Sequence, residues 1–281
     1  MNRIVVIGAA GQLGTAIVRS LAPRAEVVPL TRQEVDLDDG DALERRLVAE
    51  GPDVVINCAA FNDVDGAETR AMAAIRTNAL AVRALARACR ARGALLVHYG
   101  TDFVFDGGSD RPYTEDDEPS PESVYACSKL LGDWFAADAP RHYVLRVESL
   151  FGGARRRSSV DRIAEALARG EPARVFVDRT VSPSFVEDVA AATWRLIESE
   201  APHGLYHCVN SGSTTWFDLG KEIARLLDRE PNLVPVKVAD VKLAARRPQY
   251  AALDNAKLRR AGIDMPSWQD ALKRYLAAGR R

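Results

Sequence analysis

The sequence has little of what marks secreted, metal-binding or nucleic-acid-binding proteins. Its four cysteines are far apart and form no C-x-x-C pair, which predicts reduced thiols and no disulfide framework. His203 and His207 have no carboxylate at a spacing that would complete a zinc site, so we expect no metal. Neither sign of charge is in excess, because 39 acidic residues face 38 basic ones, and this balance gives no reason to expect a nucleic-acid partner.

Long apolar runs are missing as well. No stretch reaches the roughly 18 apolar residues of a membrane span. The sequence opens on the strand-like NRIVVIG, without a charged segment followed by an apolar one. We therefore expect no membrane contact and a cytoplasmic location.

What the sequence does contain is a regular alternation of apolar runs with amphipathic segments. The apolar runs do not alternate with polar residues, which is typical of parallel strands buried on both faces. They read RIVVIG, AEVVPL, DVVINCAA, ALLVHYGT and RHYVLRV. The pattern predicts an α/β fold: a doubly wound, Rossmann-like parallel sheet over residues 1–153 and a smaller α/β substrate-binding lobe over 154–281. We expect about 181–202 of that lobe to pack back onto the first domain.

A glycine cluster follows the first apolar run. Gly8, Gly11 and Gly14 are spaced three apart, whereas the usual dinucleotide fingerprint is G-x-G-x-x-G. Such glycines can serve a turn alone. Here they also open the first helix, where backbone N–H groups and the helix dipole can hold a pyrophosphate. The cluster therefore predicts a dinucleotide site with a longer loop.

A second set of residues has the chemistry of carbonyl reduction. Tyr125 and Lys129 are four apart in a predicted helix and so share one face. A nearby ammonium lowers the pKa of a phenol and makes it a better proton donor to a carbonyl near neutral pH. Thr101 ends the preceding strand and could donate a hydrogen bond to the same oxygen. Taken alone, Tyr125 and Lys129 could be a surface pair. Asn78 is a polar residue in an otherwise alanine-rich helix, a position that needs an explanation.

With these residues in this order, the chain resembles the extended short-chain dehydrogenases/reductases, and among them the dTDP-4-dehydrorhamnose reductase family. The motifs that carry the resemblance are GAAGQLG, NCAAFNDVDGAE, GTDFVFDG, YACSK, DRTVSPSFVEDVA and RRPQYAALDNAKL. The resemblance implies an NAD(P)H-dependent oxidoreductase that reduces the 4-keto group of a nucleoside-diphosphate 6-deoxyhexose. It also implies that Asn78 is linked to Lys129 through water, and that the enzyme can form a homodimer through the helix carrying Tyr125.

The resemblance further assigns binding residues. It places Gly11, Gln12 and Leu13 on the cofactor, together with Gly8, Gly14, Tyr125 and Lys129. It places Asp36 and Leu37 near the adenine, and Ala59, Ala60 and Phe61 beside the nicotinamide-side ribose. It makes Thr101, Asp102 and Tyr125 face the sugar, and it suggests Arg247 in the RRP motif for the diphosphate.

The sequence departs from the family where substrate is recognised. Ser149 in RVES stands where the family commonly has tryptophan, and DRTVSPS differs from the family's DQxGxPT at Arg179, Val181 and Ser184. Reductase chemistry is therefore better supported than one particular sugar. The alternatives are another sugar-nucleotide 4-ketoreductase or epimerase of the same fold, or a non-catalytic, cofactor-binding regulatory subunit.

The end of the second apolar run bears on the cofactor. It reads TRQ, and the next acid, Glu34, follows only after the turn has begun. An acid at the strand end would select NAD through the ribose 2′-hydroxyl. Arg32 could instead pair with a 2′-phosphate, although it could also lie in solvent or stack on adenine. We expect NADP(H) to be preferred and NAD(H) to be possible.

Overall fold

The fold is built on a six-stranded parallel sheet. A computed structural model describes residues 3–153 and 156–279. The strands are β1 (Arg3–Ile7), β2 (Glu26–Leu30), β3 (Val54–Asn57), β4 (Leu95–Thr101), β5 (His142–Val147), β6 (Leu150–Phe151), β7 (Ala173–Phe176), β8 (Thr180–Val181), β9 (Ser184–Phe185), β10 (Gly204–His207), β11 (Thr214–Thr215) and β12 (Leu233–Val236). The sheet order is β10-β5-β4-β3-β1-β2, and the remaining strands form three two-stranded pairs, β11-β8, β12-β7 and β6-β9.

Helices cover both faces of this sheet. They are α1 (Gln12–Leu21), α2 (Gly40–Glu50), α3 (Val64–Thr69), α4 (Ala71–Ile75), α5 (Ala81–Arg92), α6 (Val124–Ala137), α7 (Ser159–Ala168), α8 (Val186–Ser199), α9 (Trp216–Leu227), α10 (Ala256–Arg260) and α11 (Trp268–Ala278). Short 3-10 turns lie at Asp102–Val104 and Val238–Asp240. In the described part of the chain, no helix has the length and apolarity to cross a bilayer.

Two apolar layers hold the sheet between the helices. On one face, residues of β1, β3, β4 and β5 pack with α1 and α8 in a cluster that continues into α7, α9 and α11. On the other face, the same central strands pack with α2, α5 and α6. Because the strands are apolar on both sides, each face has a layer to bury against, and the predicted doubly wound fold is confirmed.

Elements from the second half of the chain pack and pair directly with elements of the first half. Helix α8 packs along α1, and β10 joins the main sheet beside β5, with Leu205 opposite Val144. The domain boundary predicted at residue 153 assigns β10 to the second domain, although this strand pairs with β5 in the main sheet. Four longer helices of this second half are α7, α8, α9 and α11.

The long alanine- and arginine-rich helix expected before β4 is interrupted. Between α4 and α5 the backbone winds as a π-helix over Arg76–Leu80, and Asn78 lies at the middle of this segment. A π turn widens the helix locally and often occurs at a functional site. The interruption therefore marks the Asn78 position, which sequence periodicity alone treats as ordinary helix.

Candidate active site

The glycine loop lies between β1 and α1, at the carboxyl ends of the central strands. Gly11 is the N-cap of α1 and has no side chain to occupy the free N–H groups of the first turn. Gly14 approaches Gly8 so closely that a Cβ on Gly14 would be 2.2 Å from the Gly8 carbonyl oxygen. Gly8 itself has φ +74°, in the left-handed region that favours glycine. The loop is a tight backbone cradle in front of a helix N-terminus, which is the arrangement that suits a phosphate.

Gln12 and the segment 59–61 border this cradle. The Gln12 amide donates to the carbonyl oxygen of Gly152 (2.9 Å) and, more weakly, to that of Leu150 (3.4 Å), so it ties the glycine loop to the chain after β5. Leu13 is buried in the core, and Ala59, Ala60 and Phe61 are half-buried.

The loop after β2 differs from the sequence interpretation in one respect. Arg32 is exposed, as a phosphate ligand would be, and so is Asp36, while Leu37 is half-buried. Glu34, however, folds back so that its carboxylate accepts from the backbone N–H of Thr31 (2.7 Å) and from the Thr31 hydroxyl. An acid therefore lies at the strand end after all, because the turn returns it there.

Asn78 connects two segments of the candidate site through side-chain hydrogen bonds. Its Oδ1 accepts from the Phe61 backbone N–H (2.8 Å), and its Nδ2 donates to the Phe61 carbonyl oxygen (3.2 Å) and to Ser128 Oγ (2.9 Å). The side chain is 1% exposed. Asn78 thus joins the 59–61 segment to α6, the helix that carries Tyr125 and Lys129. The predicted water link to Lys129 stays a prediction.

Tyr125, Lys129 and Thr101 converge where β4 and the start of α6 meet. Burial raises the pKa of Tyr125 above its usual value, and the nearby Asp102 charge adds to this, while the Thr101 hydroxyl acts in the opposite direction. The Lys129 ammonium donates to the Tyr99 carbonyl oxygen (2.5 Å). Burial lowers the pKa of Lys129 to about 8, although Asp133 favours its charged form. Phe103 packs edge-on against the Tyr125 ring at 5.5 Å.

A buried polar network that the sequence interpretation missed lies behind Lys129. Arg146 Nε donates to Asp133 Oδ2 (3.1 Å), and both side chains are less than 5% exposed. His98 Nδ1 is 3.1 Å from the Asn57 amide nitrogen, and burial lowers the His98 pKa well below its usual value, so the ring is neutral. The available signal was Asp133 itself, four residues after Lys129 and so on the same helix face.

The substrate side of Thr101 contains a second buried cluster. Asp102, Glu148 and Arg179 are 3%, 1% and 8% exposed. Arg179 is 3.9 Å from Asp102 Oδ2, and Glu148 Oε2 accepts from the Ser182 backbone N–H (2.6 Å). The resemblance predicts that Asp102 faces the sugar and marks Arg179 only as a difference from the family motif, and it assigns no role to Glu148. The feature that could have pointed to Glu148 is that it is an acid directly after the mostly apolar strand β5.

Ser149 follows this cluster in a left-handed backbone conformation, with φ +44°. Its carbonyl oxygen accepts from the Ser184 backbone N–H at 3.4 Å. Its small, half-buried side chain supplies no aromatic surface at this position.

Arg247 is engaged by an acid rather than free. Its guanidinium makes two hydrogen bonds to Asp65, at 3.0 and 2.8 Å. It lines a cleft of about 660 Å³ together with residues 106–108, Glu122, Arg246 and the segment 238–249. Arg246 is more exposed and pairs with Glu122 at 2.7 Å. Neither Thr101 nor Tyr125 lines this cleft. The assignment of Arg247 to a diphosphate stays a prediction.

Across residues 3–153 and 156–279, no three His, Cys, Asp or Glu side chains come together in a group that could hold a metal ion.

Comparisons with known proteins agree with this geometry. The model of a family described as the RmlD substrate binding domain matches residues 1–281. The chain is 37% identical to the probable dTDP-4,6-dihydroxy-2-methyloxan-3-one 4-ketoreductase of Streptomyces antibioticus, over 96% of this chain and 93% of the relative. It is 36% identical to the dTDP-4-dehydrorhamnose reductase of Mycobacterium tuberculosis, over 99% and 93%.

Solved structures give the same picture in three dimensions. The dTDP-4-dehydrorhamnose reductase of Bacillus anthracis in complex with NADP superposes with a TM-score of 0.94 at 30% identity. The match covers 99% of this chain and 100% of that one.

Proposed function

The chain belongs to the RmlD substrate binding domain family, and from this premise we propose that it is an NAD(P)H-dependent reductase of the 4-keto group of a nucleoside-diphosphate 6-deoxyhexose. The observation that carries the proposal is that Thr101 and Tyr125 lie close together, with the buried Lys129 ammonium held on β4 by the Tyr99 carbonyl oxygen. A phenol near a hydroxyl, with a buried ammonium one helical turn away on the same helix, can donate a proton to a carbonyl.

The residues present fit a dinucleotide cofactor. The Gly8–Gly14 cradle has no room for a side chain, and the first turn of α1 offers backbone N–H groups without a competing cap. Gly8, Gly11, Gln12, Leu13 and Gly14 would hold the phosphates. Arg32, Asp36 and Leu37 would lie on the adenosine side, and Ala59, Ala60 and Phe61 on the nicotinamide side. When bound, the reduced cofactor supplies a hydride to the sugar carbonyl.

NADP(H) is the preferred cofactor in this proposal, and NAD(H) is possible. The similarity to a structure in complex with NADP supports the first, and so does the exposed Arg32, whose guanidinium suits a 2′-phosphate. The position of Glu34 beside Thr31 supports use of NAD(H) as well, because a carboxylate at a strand end suits a ribose 2′-hydroxyl.

In this proposal the side chains of the protein supply a proton and hold its donor in position beside the substrate carbonyl. Tyr125 donates its hydroxyl proton to the oxygen that gains negative charge, and Thr101 stabilises that oxygen by a hydrogen bond. Lys129 favours the resulting phenolate by its charge. Asn78 keeps α6 and the 59–61 segment at a fixed separation through its three hydrogen bonds.

Two relatives suggest two substrates. One is named for dTDP-4-dehydrorhamnose, and the other for a dTDP-linked 4,6-dihydroxy-2-methyloxan-3-one. Asp102 and Ser149 would face the sugar, and Arg247 at the cleft would face the diphosphate. Ser149 favours a substrate other than, or in addition to, dTDP-4-dehydrorhamnose, because the aromatic contact common in the family is replaced by a hydroxymethyl group.

We further propose a cytoplasmic homodimer. Trp134 on α6 is 59% exposed and Leu80, in the π segment that packs on α6, is 44% exposed. Large apolar side chains left on neighbouring helices favour a second copy of the chain as their cover. The spread-out cysteines fit a reducing compartment.

The test is a screen of 4-keto sugar nucleotides, generated in place by a dehydratase, for consumption of NADPH at equal protein concentrations. We expect stoichiometric oxidation with at least one of them. Solvent deuterium incorporated at C3 or C5 without net oxidation would identify an epimerase instead. Cofactor binding without turnover on any of the sugars would identify a regulatory subunit.

A further inference from the structure

Three ionisable side chains are buried together beside Thr101, and their charges do not cancel. Asp102 and Glu148 are two acids, and Arg179 is the one base among them, at 3.9 Å from Asp102 Oδ2. All three are more than nine-tenths buried. A fully ionised trio would leave an uncompensated negative charge in the interior, which is costly unless a proton neutralises it.

The hydrogen bonds indicate how little else compensates these acids. Asp102 Oδ1 accepts from the Thr101 hydroxyl (3.1 Å), and Glu148 Oε2 accepts from the Ser182 N–H. The second oxygen of each carboxyl, Asp102 Oδ2 and Glu148 Oε1, is buried and has no hydrogen-bond partner among the residues that the structure describes. Two carboxylates in this situation compete for one guanidinium.

Other charged and titratable groups around the trio come from separate elements. Arg247, on the segment before residue 250, acts on Arg179, and Tyr250 lies near Glu148. Tyr125 on α6 lies near Asp102. Arg247 makes two hydrogen bonds to Asp65, so its positive charge is offset by a neighbouring carboxylate outside the trio.

We propose that Asp102 and Glu148 together retain one proton at neutral pH, balanced by Arg179, and that this proton, when it resides on Asp102, turns the Thr101 hydroxyl toward the carbonyl oxygen of the substrate. A hydroxyl has one proton to donate. While Asp102 is ionised, Thr101 donates to it and is not available to the substrate. A protonated Asp102 donates to Thr101 Oγ1 instead, which frees the Thr101 proton. The shared proton reaches Asp102 by transfer from Glu148. This transfer breaks the Glu148 O–H bond and forms the Asp102 O–H bond, with no change in total charge.

The direction of the pKa shifts agrees with this distribution. Burial raises the pKa of Asp102 to about 6 against the opposing effect of Arg179, and burial together with the Asp102 charge raises the pKa of Glu148 well above its usual range. Glu148 and Arg179 therefore act as positioning residues, because they act on the reaction through Asp102 and Thr101.

The proposal rests on the proposed reductase function for its kinetic readout, and its infrared readout does not. The variants are Glu148→Gln, which keeps the side-chain volume and the Ser182 bond, and the double variant Glu148→Gln with Arg179→Gln. In Glu148→Gln, Asp102 is left alone with Arg179 and its pKa falls. We expect kcat/KM to decline roughly tenfold per pH unit above that lower pKa, well below pH 8, where Lys129 titrates. In the double variant the neutralising guanidinium is gone, so Asp102 keeps its proton and the wild-type profile returns.

Infrared spectra of the protein without substrate give the second readout. At pH 7 the band of protonated carboxyls should be weaker in Glu148→Gln than in the wild type and should recover in the double variant. The exposed pair Glu222 and Arg225, 2.6 Å apart on α9, provides the matched control, and its double glutamine variant should change neither readout. An unshifted pH profile in Glu148→Gln, or no recovery in the double variant, overturns the proposal. If no sugar nucleotide is turned over, the infrared comparison alone decides whether the proton is held. Should Glu148→Gln not fold, Arg179→Gln alone should strengthen the band, because both acids then keep a proton, and an unchanged or weaker band would overturn the proposal.

Discussion

Gly132 lies against the π segment so closely that a Cβ at this position would be 2.1 Å from the Asn78 carbonyl oxygen. The same Cβ would be 3.2 Å from His98 Nε2. The contact lets α6 approach the π turn and brings the Asn78 amide within hydrogen-bond distance of Ser128. A missing side chain on α6 thus sets the spacing between the two parts of the site.

Gly132→Ala should therefore lower both stability and activity. Overpacking of this kind costs about 1–3 kcal/mol, which outweighs the gain in helix propensity, and the clash is with backbone that cannot rotate away. Urea unfolding followed by circular dichroism measures the first effect and NADPH oxidation the second. Gly220→Ala on α9 is the control, because the nearest atoms to its Cβ would belong to the flexible end of the Leu233 side chain, at 3.0 Å, and not to backbone. Equal stabilities of the two variants would contradict the packing argument.

Tyr125→Phe should reduce kcat by two orders of magnitude or more, roughly the contribution of general acid catalysis. The ring keeps its edge contact with Phe103, so cofactor binding should change little. Steady-state kinetics and cofactor titration separate the two effects. Tyr143→Phe removes another buried hydroxyl, one that donates to the Ala201 carbonyl oxygen (2.6 Å), and should affect stability without affecting kcat. Near-normal turnover of Tyr125→Phe would remove Tyr125 from the catalytic role.

The loop after β2 predicts opposite effects of two substitutions on cofactor preference. Arg32→Ala should lose most of the preference for NADPH while NADH activity stays nearly constant, since a guanidinium pairs with the 2′-phosphate alone. Glu34→Gln removes a negative charge beside Thr31 and should raise kcat/KM for NADPH relative to NADH. The ratio of kcat/KM for the two cofactors is the measurement. An unchanged ratio in Arg32→Ala would show that Arg32 does not touch the phosphate.

Lys129 predicts a pH dependence of stability. Its pKa in the folded protein is about 8, against a usual value of 10.5. Between these values the unfolded chain holds a proton that the folded protein has released, so the free energy of unfolding rises with pH there. Below about pH 8 both states are protonated and Lys129 contributes no slope. Relative to Lys129→Met, the wild type should gain about 3 kcal/mol across this interval. Urea unfolding of both proteins from pH 7 to 10.5 measures the difference, and a flat difference would contradict the shifted pKa.

Ser149 predicts broad sugar selectivity. Without an aromatic wall, several 4-keto sugar nucleotides should be reduced with similar kcat/KM. Ser149→Trp should restore a contact worth about 1 kcal/mol, which is roughly fivefold in KM for the sugars that stack on it. Ser149→Gly keeps the left-handed backbone without a side chain and serves as the control. Exclusive, tight turnover of a single sugar by the wild type would show that another residue fills this place.

Local patterns were sufficient to predict the central strands and the placement of Tyr125 and Lys129 on one helix. The central strands are continuous apolar runs because both faces are covered, and the four-residue spacing of Tyr125 and Lys129 fixes a shared helix face whatever the tertiary structure. The glycine loop could be predicted for the same reason, since it follows one strand and opens the next helix.

Contacts between residues far apart in the sequence could not be predicted in the same way. Asp102 and Glu148 directly follow β4 and β5, which pair with each other along the sheet. Arg179 reaches Asp102 from a separate segment, before β8. The π turn at Asn78 depends on what packs against it, namely α6 at Gly132, and an alanine-rich sequence has no signal for it. The return of Glu34 to Thr31 is a turn geometry that the spacing of acids along the chain does not reveal.

The insertion of β10 beside β5 has a consequence for how the protein can be divided. A fragment ending near residue 153 would leave β5 as an open edge with unpaired backbone N–H and C=O groups, which is a template for aggregation. It would also remove α8, so the apolar face of α1 would be uncovered. During synthesis the same edge is open until residue 207 has emerged. The parts of the chain before and after residue 153 therefore depend on each other for burial and strand pairing, and a stability measured on either part alone would not describe the whole protein.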